Sequence, residues 1–104
     1  MTNTMTLRQA QLICSEIDRN FYFYNRVKWT DVFKDEKELL QALSEIYIPK
    51  GRTAPPYTFK GYAYIYSFAY YVQKGWTLST KQITQCKRLA LEIKKAKEIS
   101  AYRF

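Results

Sequence analysis

Residues 61–74, GYAYIYSFAYYVQK, decide the fold. Tyr62, Tyr64, Tyr66, Phe68 and Tyr70 alternate as in a half-buried strand, whereas Ala63, Ala69 and the Gln73-Lys74-Gly75 ending fit a helix stopped by glycine. We read a helix over about 61–74. At about 100° per residue, Tyr64, Ile65, Phe68, Tyr71 and Val72 then share one apolar face, expected in the core. Tyr62, Tyr66 and Tyr70 form a ridge at i, i+4, i+8 beside Gln73 and Lys74. Such a ridge either packs against a neighbouring helix, the commoner case, or stays exposed for stacking on bases or anchoring a protein.

On the C-terminal side, Gly75 to Ser79 is a turn, and Ser79 with Gln82 spells an S-x-x-Q capping box opening a helix of about 80–100. Ile83, Cys86, Leu89, Ala90, Ile93 and Ala96 face inward. Opposite them Lys81, Arg88 and Lys95 recur every seven residues, with Lys87 and Lys94 in a parallel row and Thr84, Gln85 and Leu91 between. Two basic rows on one face can straddle a phosphate backbone. Lys94, Lys95 and Lys97 also favour the negative end of the helix dipole, so Lys81 and Arg88 are the two without a structural explanation. The turn is longer than the three or four residues of a DNA-reading helix-turn-helix, which leaves the match to that motif weak.

On the N-terminal side, PKGRTAPPYTFKG, residues 49–61, holds every proline and is a loop whose Lys50, Arg52 and Lys60 could wrap a polyanion. Before it, Asp35 to Glu38 is a D-x-x-E start for a helix of about 35–48 that Pro49 ends. Its acidic first turn suits the positive end of the dipole, a better account of Asp31, Asp35, Glu36 and Glu38 than a carboxylate metal site. Residues 21–32 carry Phe21, Tyr22, Phe23, Tyr24, Val27, Trp29 and Val32. They fit either a small β-hairpin around Asn25-Arg26 or an irregular segment laying aromatics over the core. Thr6 and Gln9 form a T-x-x-Q capping box for a first helix of about 6–19, with Leu7, Ala10, Ile13, Cys14 and Ile17 at helical spacing. The expected fold is mainly α: four helices in one domain spanning 1–104, with the hairpin as an optional addition.

The chain has 104 residues, 17 Lys plus Arg, 9 Asp plus Glu and no histidine, for a formal charge of +8. Residues 1–45 carry a net −1 and residues 46–104 a net +9, with no acid from Ile46 to Leu91. That asymmetry makes a one-sided positive field, which attracts phosphates, anionic headgroups or an acidic protein face. Lacking histidine, the chain cannot run a Ser-His-Asp or Cys-His mechanism or bind a metal through imidazole, so a non-enzymatic protein without metal or cofactor is expected. Cys14 and Cys86 fall on core faces, and no disulfide framework follows from two thiols. The N-terminal MTNTMTLRQ shows no secretory pattern, and the most apolar window, Tyr62 to Val72, is too short to span a bilayer. A reducing, cytoplasmic location and no membrane role are expected.

The stretch from Tyr66 to Ala90, with Gly75, Leu78, Ser79, Lys81 and Gln82 at its centre, resembles a helical hairpin of small bacteriophage and mobile-element proteins. In that hairpin an aromatic-rich helix, a glycine and Leu-Ser/Thr-x-Lys-Gln open a basic helix. The resemblance covers about a quarter of the chain and implies a phage-like origin, where nucleic-acid handling and inhibition of host defence are frequent tasks. The function expected is binding of a nucleic acid or ribonucleoprotein. Lys81, Arg88, Lys95, Lys87, Lys94, Lys74, Arg52 and Lys60 would meet phosphates, and Tyr62, Tyr66 or Tyr70 would stack. The alternative is an anti-CRISPR-like inhibitor docking on the acidic surface of a host effector, and an exposed tyrosine ridge would also permit a homodimer.

Overall fold

The computed structural model describes residues 5–19, 28–48 and 55–102. Among them the fold is wholly helical, in the order α1 (Leu7–Arg19), α2 (Trp29–Val32), α3 (Glu36–Ser44), α4 (Tyr62–Gln73), α5 (Thr80–Arg88) and α6 (Ala90–Ile99). Mainly α is therefore right, but four helices is too few. Trp29–Val32 is a single helical turn, where a hairpin was one of two expectations. Residues 21–27, which would carry its first strand and turn, lie outside the described residues.

The start signals work as their chemistry requires. Thr6 N–H donates to Gln9 Oε1 at 2.9 Å and the Thr6 hydroxyl accepts from Gln9 N–H at 3.2 Å. Ser79 and Gln82 repeat the exchange at 2.8 and 3.2 Å, which satisfies donors that a helix start leaves without an intrahelical acceptor. Asp35 Oδ1 accepts from Glu38 N–H at 2.9 Å, and Glu38 Oε2 accepts from Lys34 N–H at 3.3 Å. Asp35 and Glu38 are thus occupied as helix caps. Helix α3 stops at Ser44, before the expected 48, and Gln73 of α4 donates to the carbonyls of Leu43 and Ile46 at 3.1 and 2.7 Å. Leu43 is in the last turn of α3 and Ile46 lies just beyond its end, so one amide ties the C-terminal end of α3 to α4.

The expected 80–100 helix is two helices. Leu89 has ψ 19° where a helix needs about −42°. Its N–H closes α5 on Gln85 and Cys86, and its carbonyl opens α6 by accepting from Ile93 at 2.8 Å. No proline or glycine marks the break. Its local counterpart is a tertiary contact, since Leu89 lies over Gly61, the N-cap of α4, with a side-chain carbon 3.6 Å from where a Cβ on that glycine would stand.

One core joins the helices. Ala10, Cys14 and Ile17 of α1, Leu39 and Leu43 of α3, Ile65, Phe68 and Ala69 of α4, and Ile93, Ala96 and Ile99 of α6 are all buried in it. Tyr57 and Phe59 fold the end of the long loop onto this core, and Lys60 N–H donates to Asp18 Oδ1 of α1 at 2.9 Å. That part of the loop is packed through its aromatic rings and backbone, Lys60 itself is exposed, and Lys50 and Arg52 lie outside the described residues. Burial pushes the thiols up, Cys14 to about 11 with help from Asp18 and Cys86 to about 12, so both stay protonated at neutral pH.

Candidate nucleic-acid interface

The basic residues separate into two groups. Lys87 Nζ is 2.7 Å from Glu36 Oε1 and 4.8 Å from the Trp29 ring centroid. Lys95 lies 3.6 Å from Glu16 and 3.7 Å from Glu98, and Lys97 pairs with Glu45 at 2.8 Å. The Lys97 contact also holds the Glu45 carboxyl below the usual carboxylate range. Lys87 and Lys95 are half-buried and used inside the fold, contrary to their expected place in an outward double row. Lys81, Arg88 and Lys94 are exposed and have no ion-pair partner among the described residues. Because the helix breaks at Leu89, the seven-residue row ends at Arg88. Lys81 and Arg88 share one face of α5, about 10 Å apart along the axis, with exposed Thr84 and half-buried Gln85 between.

The tyrosine ridge is also divided. Tyr62 and Tyr66 are half-buried in a cluster of perpendicular rings with Phe59, at centroid distances of 6.1 to 6.4 Å. Tyr66 shares a 3.2 Å hydroxyl contact with Tyr57. Burial, then the Tyr57 contact, raises the Tyr66 hydroxyl well above an ordinary tyrosine. These two rings are packing elements. Tyr70 stays 43% exposed. Tyr64, expected in the core, is 62% exposed, because the buried face of α4 centres on Ile65, Phe68 and Ala69.

Beside Tyr70 stands a residue the spacing analysis placed only in a turn. Trp76 is 53% exposed. It is held by the way α4 ends: Gly75 adopts φ +78°, Gly75 N–H donates to the Val72 carbonyl at 3.0 Å, and Trp76 N–H donates to the Tyr71 carbonyl at 2.9 Å. This is a Schellman motif, in which the residue after the glycine packs on the last turn of the helix. Accordingly the Trp76 ring lies 5.2 Å from Tyr71 and 5.8 Å from Tyr70, near-perpendicular to both. Lys74 Nζ sits 5.4 Å over the Tyr70 ring. The signal was present as Gly-Trp following a helix ending in Tyr-Tyr-Val-Gln-Lys.

Trp76 also lines an open cleft of about 300 Å³, together with Leu40, Val72, Thr77, Leu78 and Ile83. It adjoins a shallower depression where Glu36 and Lys37 join Leu40 and Val72. No group of three or more Cys, Asp or Glu among the described residues could hold a metal ion. No helix among them is long and apolar enough to cross a membrane. No protein-family model, curated protein or solved structure matches this chain.

Proposed function

We propose that this chain is a non-enzymatic protein of phage-like origin that binds nucleic acid, alone or within a ribonucleoprotein, through the outer face of α5 and the α4–α5 turn. The observation that carries this is the pair Lys81 and Arg88, exposed on one helix face without carboxylate partners among the described residues and set in a 46–91 run that contains no acid. Cations that a fold does not neutralise internally are the ones that displace counterions from a phosphate backbone. Lys74 at the turn and Lys94 on α6 extend the same charge. Lys87 and Lys95 contribute less, since each would have to leave its carboxylate.

The test is fluorescence anisotropy with labelled DNA and RNA at low salt. The Lys81→Ala, Arg88→Ala double variant is expected to lose roughly tenfold or more in affinity, while Lys97→Ala, which removes a cation already paired with Glu45, changes it little. Absence of binding to either polymer at low salt contradicts the proposal. One observation favours a second reading, an inhibitor that docks on an acidic protein surface of a host defence effector: the largely apolar cleft that Trp76 lines with Leu40, Val72, Leu78 and Ile83, suited to a protein side chain. That reading requires the complex to survive nuclease treatment of the partner.

A further inference from the structure

The geometry of the α4–α5 turn points to single-stranded nucleic acid as the ligand, with an unpaired base stacked on the Trp76 indole. We infer this on the strength of the proposed nucleic-acid function, and it names the form of ligand that the same surface selects.

Three features converge at the turn. The first is an aromatic ring that is both exposed and fixed. Trp76 keeps about half its surface open while the Schellman hydrogen bonds set its backbone and near-perpendicular contacts with Tyr70 and Tyr71 set its ring. A ring already held in place loses little conformational freedom when a base stacks on it. The second is charge. Lys74 lies over Tyr70, and Lys81 stands in the first turn of α5, five residues beyond Trp76. Every residue of the turn belongs to the acid-free run, so a phosphate approaching the indole meets the cations that flank the turn, Lys74 and Lys81, and no acid within it. Glu36, an acid that lines the adjoining depression, is already paired with Lys87.

The third feature is what duplexes hide. Bases in a duplex cover one another's faces, leaving groove edges and phosphates for a protein to touch, whereas an unpaired base offers its whole π-face. A lysine face alone would bind either form. An exposed, pre-set indole at its end adds energy only for the single strand. Stacking of this kind tolerates any base, so sequence preference at Trp76 is weak.

The test uses the full chain and a Trp29→Phe variant in which Trp76 is the only tryptophan, since the sequence contains two. Oligothymidine and oligouridine of about 12 nucleotides are compared with a duplex of equal length. Single strands are expected to quench Trp76 emission and the duplex to leave it nearly unchanged. Trp76→Ala in the wild-type background is expected to weaken single-strand binding roughly tenfold, about 1.4 kcal/mol, with duplex affinity held within about twofold and the helical circular dichroism retained. Equal affinity for both forms with an unquenched Trp76 overturns the inference and leaves the α5 phosphate surface standing. Failure to bind any of the three oligonucleotides overturns the inference together with the function on which it rests.

Discussion

At the scale of single residues, the least expected group is Glu92. It is 2% exposed in α6, and its Oε2 has no hydrogen-bond partner among the described residues. Burial pushes its carboxyl above the usual carboxylate range, with its own backbone N–H pulling the other way. The native state thus binds this proton more tightly than the unfolded chain, whose value is near 4.5. Below that value Glu92 is protonated in both states and imposes no penalty. As pH rises through the unfolded and then the raised folded value, the native state loses stability, and above both the loss is complete. Urea midpoints measured across pH 4 to 8 should therefore show Glu92→Gln stabilised relative to wild type at neutral pH, with the difference closing at about pH 4. An unchanged difference across that range would mean that Glu92 ionises without penalty.

At the scale of elements, the ends of helices position the site. Gly75 at φ +78° has nothing within 4 Å of where a Cβ would stand, so Gly75→Ala meets no clash and feels only the left-handed backbone. Thermal or urea unfolding should register a loss of about 1 kcal/mol, with Gly75→Asn costing less. Ser79→Ala removes one bond of the second capping box and should likewise cost about 1 kcal/mol, read as a lower denaturation midpoint. A Ser79→Ala protein of wild-type stability would show that tertiary packing alone sets the start of α5.

These starts and stops were legible in the sequence because each rests on chemistry within four residues: Thr6 with Gln9, Asp35 with Glu38, Ser79 with Gln82, and Gly75 after α4. The break at Leu89 was not, since it carries no breaker residue and coincides with a contact to Gly61, far away in sequence. The same limit applies to the site. Periodicity showed that Lys81 and Arg88 share a face, but not that Lys87 and Lys95 would meet carboxylates from α3 and α1. Which tyrosines of α4 stay exposed depends on where Phe59 and Tyr57 lie, and the loop's sequence does not encode that position locally.

At the scale of the molecule, the charge asymmetry has a structural counterpart. Glu36, Glu16 and Glu45 from the acidic half reach Lys87, Lys95 and Lys97 on the C-terminal helices. Each pair is partly solvent-exposed and worth little to stability on its own. Their larger effect is on the outward field, because they neutralise part of the C-terminal charge and leave Lys74, Lys81, Arg88 and Lys94 to face solvent. The most direct test of the polyanion-binding account is the salt dependence of affinity for a labelled single strand, plotted as log K against log salt for the wild type and for Lys81→Ala and Arg88→Ala. The account predicts a steep negative slope that each substitution lowers by roughly one contact. A flat plot, or a slope that neither substitution changes, would contradict it.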